Sequence, residues 1–514
     1  MNRKFDWAAL LLFTALLFGA VVRFWPAATN GFPINDGGMF YVMIRDLKAN
    51  GLTLPSFTSY NSAQIPFAYP PLGFYIAALL STLTPVSELQ IVLWLPALIN
   101  TLSILAFFKL AEHTLGSRIA AALAAVIYAL TPGSFVWQVM GGGITRAFGV
   151  FFLLLFLWQE MKLFAEYQPR TLLLTILFGA GAVLSHPQTA LHAALGGATI
   201  FFFFGFHKRG MLSAMLTALG VALLSAPWWG AVLSRHGVEP FLSAGQTSQR
   251  TLDVYLGYLK FNTLEKYLLI PTYLFALIGI WKKFARTEIF LVVWGVLSVL
   301  VDPRGGDLII QMAVTLFAGM GLLKLAAWIS RSDGKQAEAA FTKRGVQALL
   351  FGFIFYSILG ASIFDFQLVN TSLKAEDLQM IEWVKLNVKG ENKILLATGR
   401  EFSMSDPMQE WFPALTGQVS LTTMQGLEWT LKENFFPWYA QLTAFQKCAN
   451  MACVDEWSTG NSVEYDYLIV SIPTDDDKSD AAKSLQSLGA DLLHSSGYEM
   501  IYSSDAWLVF ERMK

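Results

Sequence analysis

Between Trp7 and Phe366 the chain returns repeatedly to apolar runs long enough to cross a bilayer, and any fold must bury or insert them. A helix crossing the hydrocarbon core needs about 20 mainly apolar residues. The first run, MNRKFDWAALLLFTALLFGAVVRFW, starts like a secretory signal but continues to Trp25 with no small-residue cleavage site before Asn30, so it is expected to remain as a span. Further candidates lie near 88–108, 118–135, 146–161, 171–187, 188–206, 210–230, 266–281, 287–302, 307–329 and 345–366. Only 14% of residues are charged, against roughly 25% in a soluble chain. The sequence therefore predicts a polytopic α-helical membrane protein with about 11 transmembrane helices.

The run Tyr69 to Thr84 (YPPLGFYIAALLSTLT) is apolar but short and opens with two prolines. If it does not span, the loops carrying Lys109 and Arg118, Lys162 and Arg170, Lys208 and Arg209, and Lys282 and Lys283 share a side with Arg3 and Lys4, the positive-inside arrangement. This places the amino terminus in the cytoplasm of a multi-pass plasma-membrane protein, with 69–84 partly embedded or on the outer surface. Charge then divides the chain. Residues 1–369 hold 25 Lys+Arg against 16 Asp+Glu and residues 370–514 hold 11 against 21, which predicts a membrane domain (1–369) and an acidic extracytoplasmic domain (370–514). Nucleic acid is excluded as a partner.

This topology puts 27–87, 136–146, the turn at His186, 231–265, 303–306 and the tail on the outer side. In the first of these loops, Phe40, Met43, Ile44 and Leu47 share a helical face, predicting an interfacial helix over 37–50 closed by Gly51. Asp36 stands just before it. One reading makes Asp36 the helix's N-cap; capping and catalysis are compatible.

A first span, an acidic residue just beyond it, an interfacial helix, the Ala68-Tyr69-Pro70-Pro71-Leu72 stretch, many spans and an outer tail together resemble the GT-C superfamily of polyprenyl-phosphate-sugar-dependent glycosyltransferases. The resemblance implies transfer of a sugar, with inversion, from a polyprenyl-phosphate donor to a glycan, lipid or protein acceptor outside the membrane. It makes Asp36 the general base or a metal ligand, so a divalent metal ion is the one cofactor it raises. Many members carry a second acid beside the first, where this chain has Gly37. Tyr69 lies in the segment that lines the donor site in relatives. The large loop 231–265, with Arg235, His236, Glu239, Arg250, Tyr255 and Tyr258, resembles the later outer loop that folds over the active site; an ordinary solvated loop with an interfacial helix near 251–261 fits as well.

Such transfer needs a base for the acceptor's proton, stabilisation of oxocarbenium-like charge, and cations for the departing phosphate. Arg146 opens a span beside three glycines that would let a ligand approach the backbone, Arg304 sits between two spans in VDPRGGD, and His186-Pro187 closes another span. Membrane-edge ionisable groups are functional candidates, and the resemblance, in which late-loop arginines recur as donor ligands, makes Arg304 the first choice for phosphate. Each has a plainer role: Arg304 paired with Asp302 or Asp307, Arg146 snorkelling to headgroups, His186 packed before its proline. A non-enzymatic transporter of lipid-linked glycan, or a GT-C-like scaffold, is the competing reading.

The tail predicts a helix with Leu378, Ile381, Val384 and Leu386 toward one face, strands at 393–397 and 467–472, a helix over 479–488 and a hairpin pairing 498–502 with 507–511, hence a soluble α/β domain. Cys448 and Cys453 are spaced for a local disulfide in an oxidising compartment, or stay reduced. The acceptor motif of oligosaccharyltransferases is absent, and neither Gln409-Glu410-Trp411-Phe412-Pro413 nor Gly426-Leu427-Glu428-Trp429 replaces it, which disfavours asparagine-linked transfer. Asp475-Asp476-Asp477 lacks the ligand spacing of a calcium loop.

Overall fold

The computed structural model describes residues 5–246, 251–258, 260, 263–280, 285–331, 337–474 and 476–513. Arg3, Lys4, Arg250, Lys282, Lys283 and Asp475 lie outside the described residues. Among the described residues, six helices are long and apolar enough to cross a membrane: Trp7–Asn30, Glu88–Leu115, Gly143–Glu166, Lys208–His236, Gly306–Ser330 and Arg344–Val369. The candidate at 118–135 is not one straight span, because Arg118–Leu130 and Pro132–Val139 meet at 88°. Pro132 has no amide hydrogen and pushes Thr131 out of the helical region, to φ −80° and ψ 122°. Counted as one broken span, the pair makes seven crossings. The four other predicted spans fold as the shorter helices Pro169–Val183, Pro187–Ile200, Ile270–Ile280 and Arg286–Val301.

The break leaves backbone groups unpaired among apolar helices, where water cannot serve them. Arg23, fully buried in the first helix, donates to Ala129 O at 2.7 Å and to Ser134 Oγ at 3.2 Å, on either side of the bend. Gly133 N donates to Glu265 Oε1 at 2.9 Å. The kink is thus held by side chains from distant segments.

The predicted loop helix forms over Gly38–Ala49, with Phe40, Met43, Ile44 and Leu47 all buried. The helices Leu72–Leu83 and Pro407–Thr416 pack against it. Gly51 follows at φ +61°, a conformation glycine adopts without strain. The 12-residue helix Leu72–Leu83 is too short to span. It docks on the membrane helices: Leu72 N donates to Leu184 O at 2.9 Å, and a Cβ at Gly73 would stand 2.0 Å from Ile144 O.

The C-terminal unit contains a five-stranded sheet in the order β2-β1-β3-β5-β4, with β1 Lys393–Ala397, β2 Val419–Ser420, β3 Tyr467–Ser471, β4 Tyr498–Ser503 and β5 Trp507–Arg512. β1 runs parallel to β2 and β3, while β5 is antiparallel to β3 and β4. Strand alternation sorts the side chains into two cores. Ile394, Leu396, Ile469 and Val509 share a core with Met39, Phe40 and Trp411, whereas Leu395, Leu468, Val470 and Phe510 face Phe445, Cys448 and Leu488. One sheet face therefore looks toward the first loop and the membrane helices. The helix Ala375–Asn387 buries Met380, Ile381 and Val384, but Leu386, expected on that face, is 58% exposed.

Candidate active site

The segment Ile34 to Gly37 passes between the glycine turn at 141–142 and the C-terminal unit. Ile34 O accepts from Gly141 N at 2.9 Å, and Asn35 N donates to Thr371 O at 3.2 Å. The approach is close: a Cβ on Gly141 would stand 1.9 Å from Asp36 O, and one on Gly37, at φ +123°, would stand 2.8 Å from Gly141 C. The glycines read as room for a ligand are here filled by the Asp36 segment itself.

That packing aims Asp36 at the start of the helix Gly143–Glu166. Its Oδ1 accepts from Gly142 N at 2.8 Å and Arg146 Nη2 at 2.9 Å, and its Oδ2 lies 2.7 Å from the same Nη2. An anion at a helix N-terminus paired with a guanidinium is favoured by both. Asp36 does not cap its own helix, so the capping expectation is corrected; the cap residue is Gly37, with no side-chain cap bond. Nor does Arg146 snorkel to headgroups. Its side chain is 20% exposed, Nε donates to Trp137 O at 2.9 Å, and the guanidinium lies 5.7 Å from the Trp137 ring centroid.

The second acid comes from the far end of the chain. Glu410, 5% exposed, accepts from Gly37 N at 2.7 Å and from the Met39 amide. Burial, then the neighbouring Asp36 carboxylate, raise it above the usual carboxylate range, while the two amides and Arg146 oppose the shift. Its placement follows from local signals: Asp406 accepts from Met408 N, Pro407 opens the helix Pro407–Thr416 and Gly417 ends it at φ +74°. Gln409 Nε2 ties that helix to Leu396 O of β1 at 3.0 Å. Trp411 Nε1 donates to Asn35 O at 2.9 Å, and Tyr60 OH to Glu410 O at 2.7 Å.

Tyr69 stands beside these groups with edge contacts to Phe40 at 4.8 Å, Trp429 at 5.7 Å and His186 at 6.0 Å. Its phenol is raised by burial, and the Arg146, Glu428 and Asp36 charges all act on it. His186 does not close a helix. The preceding helix ends at Val183, and His186 is the residue before Pro187, which opens Pro187–Ile200.

Arg304 is exposed, and neither acid expected to pair with it does so. Asp302 Oδ2 lies 3.2 Å from His192 Nε2, and Asp307 Oδ2 accepts from Gln311 Nε2 at 3.0 Å. The charge of Arg304 acts instead on His186 and on Glu428, whose carboxyl burial pushes up.

The segment 231–265 begins inside a helix, since Lys208–His236 includes Arg235, which donates to Leu54 O at 2.7 Å. Beyond it Ser243 Oγ donates to Glu428 O at 2.7 Å, and Tyr258 OH donates to Pro303 O beside Arg304. Among the described residues of the expected 251–261 helix, Leu252–Gly257 is helical.

A family model for dolichyl-phosphate-mannose-protein mannosyltransferases matches residues 68–229. No curated protein matches the chain by sequence. Among solved structures, ArnT from Cupriavidus metallidurans bound to undecaprenyl phosphate is similar at a TM-score of 0.58 and 14% identity, over 98% of this chain and 97% of that one. The chain has the GT-C fold. The oligosaccharyltransferase of Archaeoglobus fulgidus, solved with Zn and sulfate, is similar at 0.57 and 13% identity over 98% of this chain and 73% of its own. The arabinofuranosyltransferase AftD from Mycobacteria is similar at 0.59 and 15%, and this chain spans 40% of its length.

On this frame Asp36 pairs with Arg146 and Tyr69 with His186, the Arg304 charge acts on His186, and the bonded Cys448 and Cys453 lie against the other face of the sheet. Glu410 and Glu428 are the additions that sequence reasoning passed over. Both sit in the two Trp-containing tail segments set aside as acceptor motifs, and each acid directly precedes its Trp. A divalent metal does not fit these residues as arranged. Arg146 faces both Asp36 oxygens, and among the described residues no group of three or more His, Cys, Asp or Glu is placed to hold an ion.

Proposed function

We propose that this chain is an integral-membrane glycosyltransferase that moves a sugar from a polyprenyl-phosphate donor to an acceptor glycan, lipid or protein on the extracytoplasmic face. The observation that carries the reading is the Asp36–Arg146 pair at a helix N-terminus, with Arg304, which forms no ion pair among the described residues, acting on the neighbouring His186, within a GT-C fold. Undecaprenyl phosphate in the ArnT structure, and dolichol phosphate with a peptide in that of the Archaeoglobus oligosaccharyltransferase AglB, support a donor and acceptor of these classes.

In this mechanism Asp36 accepts the acceptor's proton as the nucleophile attacks the anomeric carbon. The bond from that carbon to the phosphate oxygen breaks with inversion, and the phosphate leaves with its electron pair. Arg304, with Arg146 deeper in the site, holds the developing phosphate charge. Arg146 also fixes Asp36 in direction, bonding both of its carboxylate oxygens. Tyr69, part-exposed and backed by the buried rings of Phe40 and Trp429, offers the aromatic surface against which a sugar ring would rest.

The test is transfer of labelled sugar from a panel of polyprenyl-phosphate donors by the purified protein. Asp36→Asn is expected to lower kcat by about a hundredfold or more, the range of general-base contributions. Arg304→Ala is expected to raise the donor KM. Full activity in Asp36→Asn would remove the proposed base.

A further inference from the structure

Every helix must satisfy its first-turn amides, and the acid nearest the start of Gly38–Ala49 in the chain is Asp36. Yet Asp36 is turned away, bonded to Gly142 N and Arg146. The amides of Gly37 and Met39 are served by Glu410, from a helix that belongs to the C-terminal unit. Three further contacts fix this arrangement: Trp411 Nε1 on Asn35 O, Tyr60 OH on Glu410 O, and Gln409 Nε2 on Leu396 O. A Cβ on Gly38 would stand 2.5 Å from Glu410 O, so the two backbones touch where the side chain bonds.

We infer that Glu410 is a positioning residue: by capping the helix Gly38–Ala49 from the C-terminal unit, it releases Asp36 to pair with Arg146. The inference rests on the proposed function only for its kinetic consequence. Its structural content is independent, namely that Asp36 faces Arg146 because Glu410 has taken the cap. Without Glu410, the first-turn amides are unserved and the nearest acid in the chain is Asp36 itself, whose rotation toward them would break the Arg146 pair. The C-terminal unit is then part of the site although its acid performs no chemistry.

The experiment compares parent, Glu410→Ala and Glu410→Gln as full-length protein, by cryo-electron microscopy and by sugar transfer. Gln keeps one acceptor oxygen for the Gly37 amide, whereas Ala keeps none. In Glu410→Ala the Asp36–Arg146 pair is expected to be lost, with kcat down about tenfold or more and donor KM little changed, since binding groups remain and only the base is misdirected. Glu410→Gln is expected to retain the pair and to restore kcat to within about threefold of the parent. An Asp36–Arg146 pair intact in Glu410→Ala overturns the inference, whatever the activity. Should Glu410→Ala fail to fold, Glu410→Gln carries the test, and loss of its pair despite the retained acceptor overturns the inference. A parent that transfers no sugar, with the structural difference present, overturns the proposed function and leaves the positioning role standing.

Discussion

Arg146 Nη2 reaches both carboxylate oxygens of Asp36, at 2.9 and 2.7 Å, joining the first loop to the start of a membrane helix 110 residues later. Both side chains are largely buried, at 20% and 14% exposure. Removing one partner of such a pair leaves an uncompensated charge, which costs about 3–5 kcal/mol when burial is deep. Arg146→Ala should therefore unfold at lower temperature than the parent. The double variant Arg146→Ala with Asp36→Asn should recover part of the loss, giving a coupling of at least about 1 kcal/mol in thermal or denaturant unfolding.

Gly141→Ala is expected to separate the Asp36 loop from its seat. The added Cβ would stand 1.9 Å from a backbone oxygen, which no side-chain rotation relieves. Transfer should fall by at least about tenfold, and stability by about 1–3 kcal/mol, the range for overpacking. Parent-like transfer in the folded variant would show that the contact is dispensable.

Glu410 gives a pH signature. Its folded-state affinity for a proton is raised first by burial and then by Asp36, so the folded state binds a proton more readily than the unfolded chain does. The stability this contributes is complete below the ordinary carboxylate value of about 4.3 and is lost as pH rises through the raised folded value. Melting temperature should fall across that window in the parent. Glu410→Gln, which cannot ionise, should show a shallower fall; identical slopes would contradict the linkage.

Reducing the Cys448–Cys453 disulfide should affect stability and spare chemistry. The bond closes a loop with a sequence separation of 5, for which chain entropy gives about 2 kcal/mol. Both cysteines belong to the sheet face turned away from Asp36. Reductant, or Cys448→Ala with Cys453→Ala, should lower the melting temperature while transfer at permissive temperature stays near the parent's.

Periodicity revealed what it can report. The buried face of Gly38–Ala49 is visible as a period-3.6 pattern, β1 and β3 as short continuous apolar runs, and β4 and β5 as the two arms of a hairpin. Asp36 stood out because an acid at the end of an apolar run has no packing explanation. The bend at Pro132 was hidden because the apolar pattern continues through it, and its backbone is served by side chains far away in sequence, Arg23 and Glu265. Glu410 was hidden for another reason. Its partner amides lie 373 and 371 positions away, and pairing at that distance leaves no local pattern. Its signal was a departure: Gly37 where the GT-C resemblance leads one to expect a second acid, and a Glu beside a Trp in an otherwise unassigned tail helix.

The Ile34–Gly37 segment leaves the ribosome early, whereas the Glu410 and Trp411 groups that hold it from above are made in the last quarter of the chain. A nascent chain therefore holds both Asp36 and Arg146 long before Glu410 is made, and the clamp on that segment closes only when synthesis has passed residue 411. Completion of the site is in effect a late step of biogenesis, and a chain cut short before that point would carry the acid and its arginine without the brace that sets their direction.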